Sequence, residues 1–148
     1  MLWLLRHADA ADGLQDADRP LTDLGAEQAR AAGLALERLG ATIELCLSSP
    51  KRRAVQTAEL ACESLGVPVS VAPELAGPPF DPEAVAAGVE SALLVGHDPS
   101  ISLALHDATG AQVRMRKGGL AAIKKGELIV LLRPAEIALI AQEPGAVT

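Results

Sequence analysis

Apolar residues are distributed along the chain in two alternating rhythms. Short apolar runs at 2–5, 43–47, 67–71 and 92–95, the second and third interrupted by single polar or proline residues, have the length of strands. Between the first two runs the small and apolar residues Ala29, Ala32, Gly33, Leu36 and Leu39 recur at helical spacing. Ala54, Ala58, Ala61, Cys62 and Leu65 do the same after the second run. Thr22 is placed to cap the first of these helices and Gly40 to end it. Ser49 and Pro50 offer an N-cap and a first-turn proline to the second, which Gly66 closes, and Asp98 and Pro99 do so for a helix near 99–108. Pro68 inside the third run suits an edge strand. The Pro- and Gly-rich stretch 72–83 reads as a loop leading to a short helix. Residues 120–124 and 128–132 flank Lys125 and Gly126 as a hairpin, and a last helical stretch follows Pro134. This alternation predicts an α/β fold, a three-layer α/β/α sandwich whose sheet is mainly parallel with an antiparallel hairpin at its edge. No repeat, low-complexity run or linker breaks it, so residues 1–148 are expected to form a single domain.

Composition narrows the function classes. With 49% hydrophobic and 22% charged residues the chain is globular. A net charge of −6 argues against nucleic acid or an anionic membrane as partner. One Trp, one Phe and no Tyr predict an aliphatic core and leave no aromatic platform for stacking bases. No apolar run reaches the roughly 20 residues of a membrane helix. The opening "MLWLL" lacks the basic segment and the length of a secretory signal. Cys46 and Cys62 have no metal-type spacing and read as reduced core thiols. A cytoplasmic, soluble protein without metal or cofactor is expected. The two basic clusters, 51–53 and 114–117, read first as solvated faces.

Four residues change that picture. Arg6 and His7 follow the first strand, Arg53 lies in the first turn of the helix after the second, and His97 follows the fourth. Open parallel sheets bind ligands beyond the carboxyl ends of their strands. Two arginines, two histidines and two helix N-termini at one rim suit a dianion such as phosphate. Any one of them alone reads as a hydrogen-bonded structural histidine or a surface arginine. By position alone they describe an anion-binding α/β domain.

The local sequences add more. "LLRHADA" resembles the arginine-histidine signature of the histidine phosphatase, or phosphoglycerate mutase-like, superfamily. "SSPKRRAVQTAE" is similar to that family's second block, with Arg53 at its arginine position, and "LLVGHDPSIS" to its glycine-histidine block. "DRPLTDLGAEQA" resembles the small SixA-like phosphohistidine phosphatases. The four blocks stand in the family's order. Ala8 replaces the glycine usual after the histidine, and Gly13 stands where many members carry asparagine.

The resemblance implies a phosphoglycerate mutase-like fold without a cap domain, and a metal-independent phosphatase. It makes His7 the nucleophile that forms a phosphohistidine intermediate. Arg6 and Arg53 would hold the phosphoryl oxygens and depress the His7 pKa. His97 would donate to the same oxygens. The family's general acid is usually a carboxylate between the second and third blocks. Glu74 is the candidate here, with Asp81 and Glu83 further along, and all three read equally as exposed loop acids. Asp98 reads as a helix cap. The short connection from 65 to 92 leaves little material for a lid. An open site favours phosphohistidine on a protein; the alternatives are a small phosphorylated metabolite, or a noncatalytic phosphate-binding module.

Overall fold

Leu2, Trp3, Leu4 and Leu5 are buried on both faces of a six-stranded sheet, which is why they form an unbroken apolar run. They belong to β1 (Leu2–Arg6) in the computed structural model, which describes residues 1–13 and 15–142. The other strands are β2 (Leu45–Ser48), β3 (Val69–Val71), β4 (Ala92–Gly96), β5 (Leu120–Lys124) and β6 (Glu127–Leu132). Their order is β3-β2-β4-β1-β5-β6. The first four in that order are parallel, and the β5–β6 hairpin adds antiparallel to β1. Val69–Val71 is an edge strand, as the proline before it suggests.

Helices cover both faces. Trp3 and Leu5 pack with α1 (Asp23–Arg38), α2 (Arg52–Leu65) and α5 (Pro134–Ala141). Leu2 and Leu4 pack with α3 (Pro82–Ala86), α4 (Ser100–Thr109) and the 3-10 turn Pro73–Leu75. The α/β/α sandwich read from the sequence is the fold observed. Cys46 and Cys62 are both buried and unpaired. Among the described residues no helix is long and apolar enough to cross a membrane.

Helix boundaries follow local chemistry. Thr22 Oγ1 accepts from the Gly25 N–H at 3.0 Å and starts α1. The Asp98 carboxylate accepts from the Ser102 N–H at 3.0 Å at the head of α4. Helix α2 differs from expectation. It begins at Arg52 with Lys51 as N-cap residue, two positions later than Pro50 would place it. Ser49 Oγ still accepts from the Lys51 N–H, at 3.2 Å, but in a turn ahead of the first helical residue.

Helices α1 and α2 approach closely through small residues. Ala29, Ala32 and Gly33 face Ala54, Ala58 and Ala61, and a Cβ on Gly33 would run into the Ala61 carbonyl oxygen. Gly33→Ala is therefore expected to destabilise the protein by about 1–3 kcal/mol as overpacking. For a chain of this size that lowers Tm by roughly 3–10 °C. Thermal denaturation followed by circular dichroism measures it, and an unchanged Tm would contradict so close an approach.

Candidate functional site

The parallel register of three strands builds the site. Arg6 pairs with Gly96 and Ser48 with Val95, so the residues that follow β1, β2 and β4 emerge together at one rim. The His7 N–H donates to the Gly96 carbonyl and the Ser49 N–H to the Val95 carbonyl, each at 2.9 Å. His7 and His97 face one another with ring centroids 5.2 Å apart. Arg53 reaches the same rim from the first turn of α2 and is buried, whereas its neighbour Arg52 is exposed. The four residues singled out in the sequence, Arg6, His7, Arg53 and His97, are thus brought to one place.

Hydrogen bonds fix which atoms of this cluster are free. His7 Nδ1 lies 2.8 Å from the Ala8 carbonyl, which can only accept, so Nδ1 carries the proton and Nε2 keeps its lone pair. Ser49 Oγ accepts from the Lys51 N–H at 3.2 Å and lies 2.7 Å from His97 Nε2. The Ser49 oxygen has a second lone pair, so His97 can carry its N–H on either ring nitrogen; with the Ser49 proton turned to Nε2 it stands at Nδ1. Arg6 Nη1 donates to the Met115 carbonyl at 2.8 Å. Arg53 Nη1 donates to the Asp16 carbonyl at 2.6 Å, and its Nη2 lies 3.2 Å from the Asp16 carboxylate. Three buried nitrogens remain without a partner among the described residues: the donors Arg6 Nε and Arg53 Nε, and His97 Nδ1. Buried polar nitrogens are rarely left so, and three at one rim form a cradle suited to an anion.

Burial sets the protonation states. The His7 imidazole is pushed down to about 4, first by burial and then by Arg53, Arg6 and Lys117, against the opposing bond to Ala8. The sequence assigned that depression to the arginines; loss of water is the larger cause. His97 is pushed down to about 3, again by burial first and then by His7, Arg53 and Lys51. Both rings are neutral near pH 7. Asp16 is held down to about 2 by the Lys51 ammonium at 2.9 Å and by Arg53, so it stays ionised.

Three contributors escaped the sequence reading. Thr57 is fully buried; its hydroxyl donates to the Arg53 carbonyl at 2.7 Å and accepts from the Ala8 N–H at 3.1 Å, tying α2 to the His7 loop. Its position four residues after Arg53, on the same helical face, was the available signal. Ser49 was read as a cap; its hydroxyl accepts the Lys51 N–H and also contacts His97. Asp16, from the 3-10 turn Asp16–Asp18, gave no local signal for its pairing with Arg53.

The acid candidates are less central. Glu74 is exposed on the turn after β3, whose Leu75 carbonyl lies over Gly96, and no hydrogen bond joins it to either histidine. Asp81 caps α3, accepting from the Glu83 N–H at 3.0 Å. Both residues line a cavity with Met1 and Lys125, at the opposite end of the sheet. Among the described residues no group of three or more His, Cys, Asp or Glu is placed to hold a metal ion.

Comparison with known proteins gives consistent relatives. A family model described as histidine phosphatase superfamily (branch 1) matches residues 2–77. An uncharacterised protein of Picosynechococcus sp. is 34% identical over 141 residues, covering 84% of this chain and 85% of that one. The rat mitochondrial serine/threonine-protein phosphatase PGAM5 is 34% identical over 85 residues, 55% of this chain but 30% of the longer relative. The structure of the protein histidine phosphatase SixA complexed with tungstate superposes with a TM-score of 0.80 at 28% identity, covering 92% of this chain and 98% of that one.

The buried histidines make stability depend on pH. Their folded values lie below the ordinary 6.5, so on acidification the unfolded chain takes up protons that the folded chain refuses. Their contribution is complete above about pH 6.5 and is lost as the pH falls towards 4 and 3. Tm is expected to fall between pH 6.5 and 4, and a His7→Gln/His97→Gln variant to lose most of that slope. A Tm that is flat or rising on acidification through this window would contradict the buried, neutral state.

Proposed function

The chain belongs to the histidine phosphatase superfamily, and from that membership we propose that it is a metal-independent phosphohistidine phosphatase acting on protein. The observation that carries the reading is a free imidazole Nε2 on His7 beside three buried nitrogens, on Arg6, Arg53 and His97, that have no partner among the described residues. An imidazole attacks phosphorus only when neutral, and the burial that lowers the His7 pKa keeps it so.

In the proposed reaction His7 Nε2 attacks the phosphorus of the substrate as the bond from phosphorus to the leaving nitrogen breaks. The departing imidazole takes a proton from water, and the phosphoryl group is carried on Nε2. Water then attacks that phosphorus, the P–Nε2 bond breaks, and inorganic phosphate leaves while the water's proton passes to solvent. Arg6, Arg53 and the His97 Nδ1–H neutralise and hold the non-bridging oxygens, where charge redistributes during transfer. That charge stabilisation comes from side chains already in place, so the reaction asks for no metal, and activity should survive a chelator. A leaving imidazole makes less demand on a general acid than an alkoxide does. This suits a site whose nearest acid candidate, Glu74, is exposed.

Protein as substrate is supported by the site's surroundings. Between α2 and β4 the chain adds only β3, a 3-10 turn and the five-residue α3, little with which to enclose a small metabolite. Similarity to SixA and to PGAM5, both protein phosphatases by name, points the same way. The deciding assay compares a phosphohistidine protein, a phosphoserine peptide and sugar phosphates at matched concentration. The phosphohistidine protein is expected to give the highest kcat/KM; a sugar phosphate turned over faster would assign a small-molecule phosphomonoesterase instead.

Two substitutions test the roles. His7→Ala should abolish turnover and, with it, the acid-labile phosphoenzyme trapped from labelled substrate; undiminished turnover would refute the nucleophile. Arg53→Lys should lower kcat/KM at least about a hundredfold, or roughly 2.7 kcal/mol, because an ammonium cannot reproduce the planar fork. A loss below about threefold would remove Arg53 from the phosphoryl cradle.

A further inference from the structure

The mouth of the site carries cations that the phosphoryl group does not use. The turn leading into β5 closes with the Gly119 N–H donating to the Arg116 carbonyl at 2.8 Å. Gly118 has φ +77°, the left-handed geometry that a type II turn requires of its third residue. The Gly118 N–H also donates to the Arg6 carbonyl at 3.1 Å and the His7 carbonyl at 3.0 Å. The turn is thereby fastened to the backbone of the site, and Lys117 at its corner stands beside His7. Its charge is close enough to oppose protonation of that ring.

Arg116 and Lys117 are exposed, and neither makes a side-chain hydrogen bond or ion pair among the described residues. Across the mouth, Arg52 at the head of α2 is exposed and meets only the Asp18 backbone carbonyl, at 3.4 Å. Sheet order places these two groups on opposite sides of the histidines, since β2 and β5 flank the β4–β1 pair. Two nearby carboxylates are engaged elsewhere. Asp16 is engaged by Lys51 and Arg53, and Asp98 by the Ser102 N–H and hydroxyl. A chain of net charge −6 therefore gathers unneutralised positive charge at its site.

We propose that Arg52, Arg116 and Lys117 form a docking surface for an acidic protein segment, with carboxylates on both sides of the phosphorylated residue. The proposal rests on the protein-phosphatase reading above and adds the selectivity it lacks. Exposed pairs of this kind are individually weak, so the surface acts by steering encounter and setting register, and its effect is screened by salt.

Two histidine-containing peptides of equal length, phosphorylated with phosphoramidate, test it: one flanked by Glu, the other by Lys. The Glu-flanked peptide is expected to have a kcat/KM at least about tenfold higher at low ionic strength, mostly through KM, with the difference shrinking towards parity near 0.5 M salt. The R116E/K117E variant should reverse the preference, and Arg52→Glu, on a separate element, should reduce it. Equal kcat/KM for the two peptides in the unaltered protein would overturn the docking surface and leave the phosphatase reading intact. No turnover of either peptide, beside hydrolysis of a sugar phosphate, would overturn the protein-phosphatase reading and the docking surface with it.

Discussion

Strand β4 governs everything else in the molecule. All five of its residues are buried, it pairs in parallel with both β1 and β2, and its last two carbonyls accept the N–H groups of Ser49 and His7. Parallel neighbours in fixed register end at the same level, so the residues just beyond them must meet. The approach of the two imidazoles and the contact between Ser49 and His97 follow from that pairing. A slip by one residue along β4 would break the bonds by which the Val95 and Gly96 carbonyls hold the Ser49 and His7 N–H groups.

What this arrangement holds is unfavourable in isolation. Two imidazoles are stripped of water, and three guanidinium or imidazole nitrogens lack partners among the described residues. Each such group costs stability. The cost is offset by the two aliphatic layers, where close contact of α1 with α2 and burial of β1 and β4 supply the packing. Thr57 and Asp16 then keep Arg53 from wandering: the first holds its backbone and the second its guanidinium. The same burial that destabilises the site keeps both histidines neutral, so the chemistry and the cost share one cause.

The strands were legible because parallel strands covered on both sides must be apolar throughout, and the convergence of Arg6, His7, Arg53 and His97 followed from where such strands end. Local resemblance then named the phosphoryl chemistry. Helix α2 was misplaced by two residues because a serine hydroxyl that accepts the N–H two residues on makes the same bond in a turn ahead of a helix as in a cap. Only the fold decides between them. Asp16 was illegible for a different reason. Its partner Arg53 lies 37 residues away, and nothing in a short acidic turn announces a distant guanidinium. The dominance of burial over charge in setting the His7 pKa was equally out of reach, since depth is a property of the assembled layers.

The central claim is that His7 waits as a neutral ring with its proton on Nδ1 and its Nε2 lone pair free. Nitrogen-15 chemical shifts of the imidazole rings, followed from pH 8 down to 4, report tautomer and charge directly. His7 is expected to remain neutral and Nδ1-protonated at pH 6 and to begin taking up its second proton only as the pH approaches about 4. A proton found on Nε2, or a titration midpoint at the ordinary histidine value of about 6.5, would contradict it.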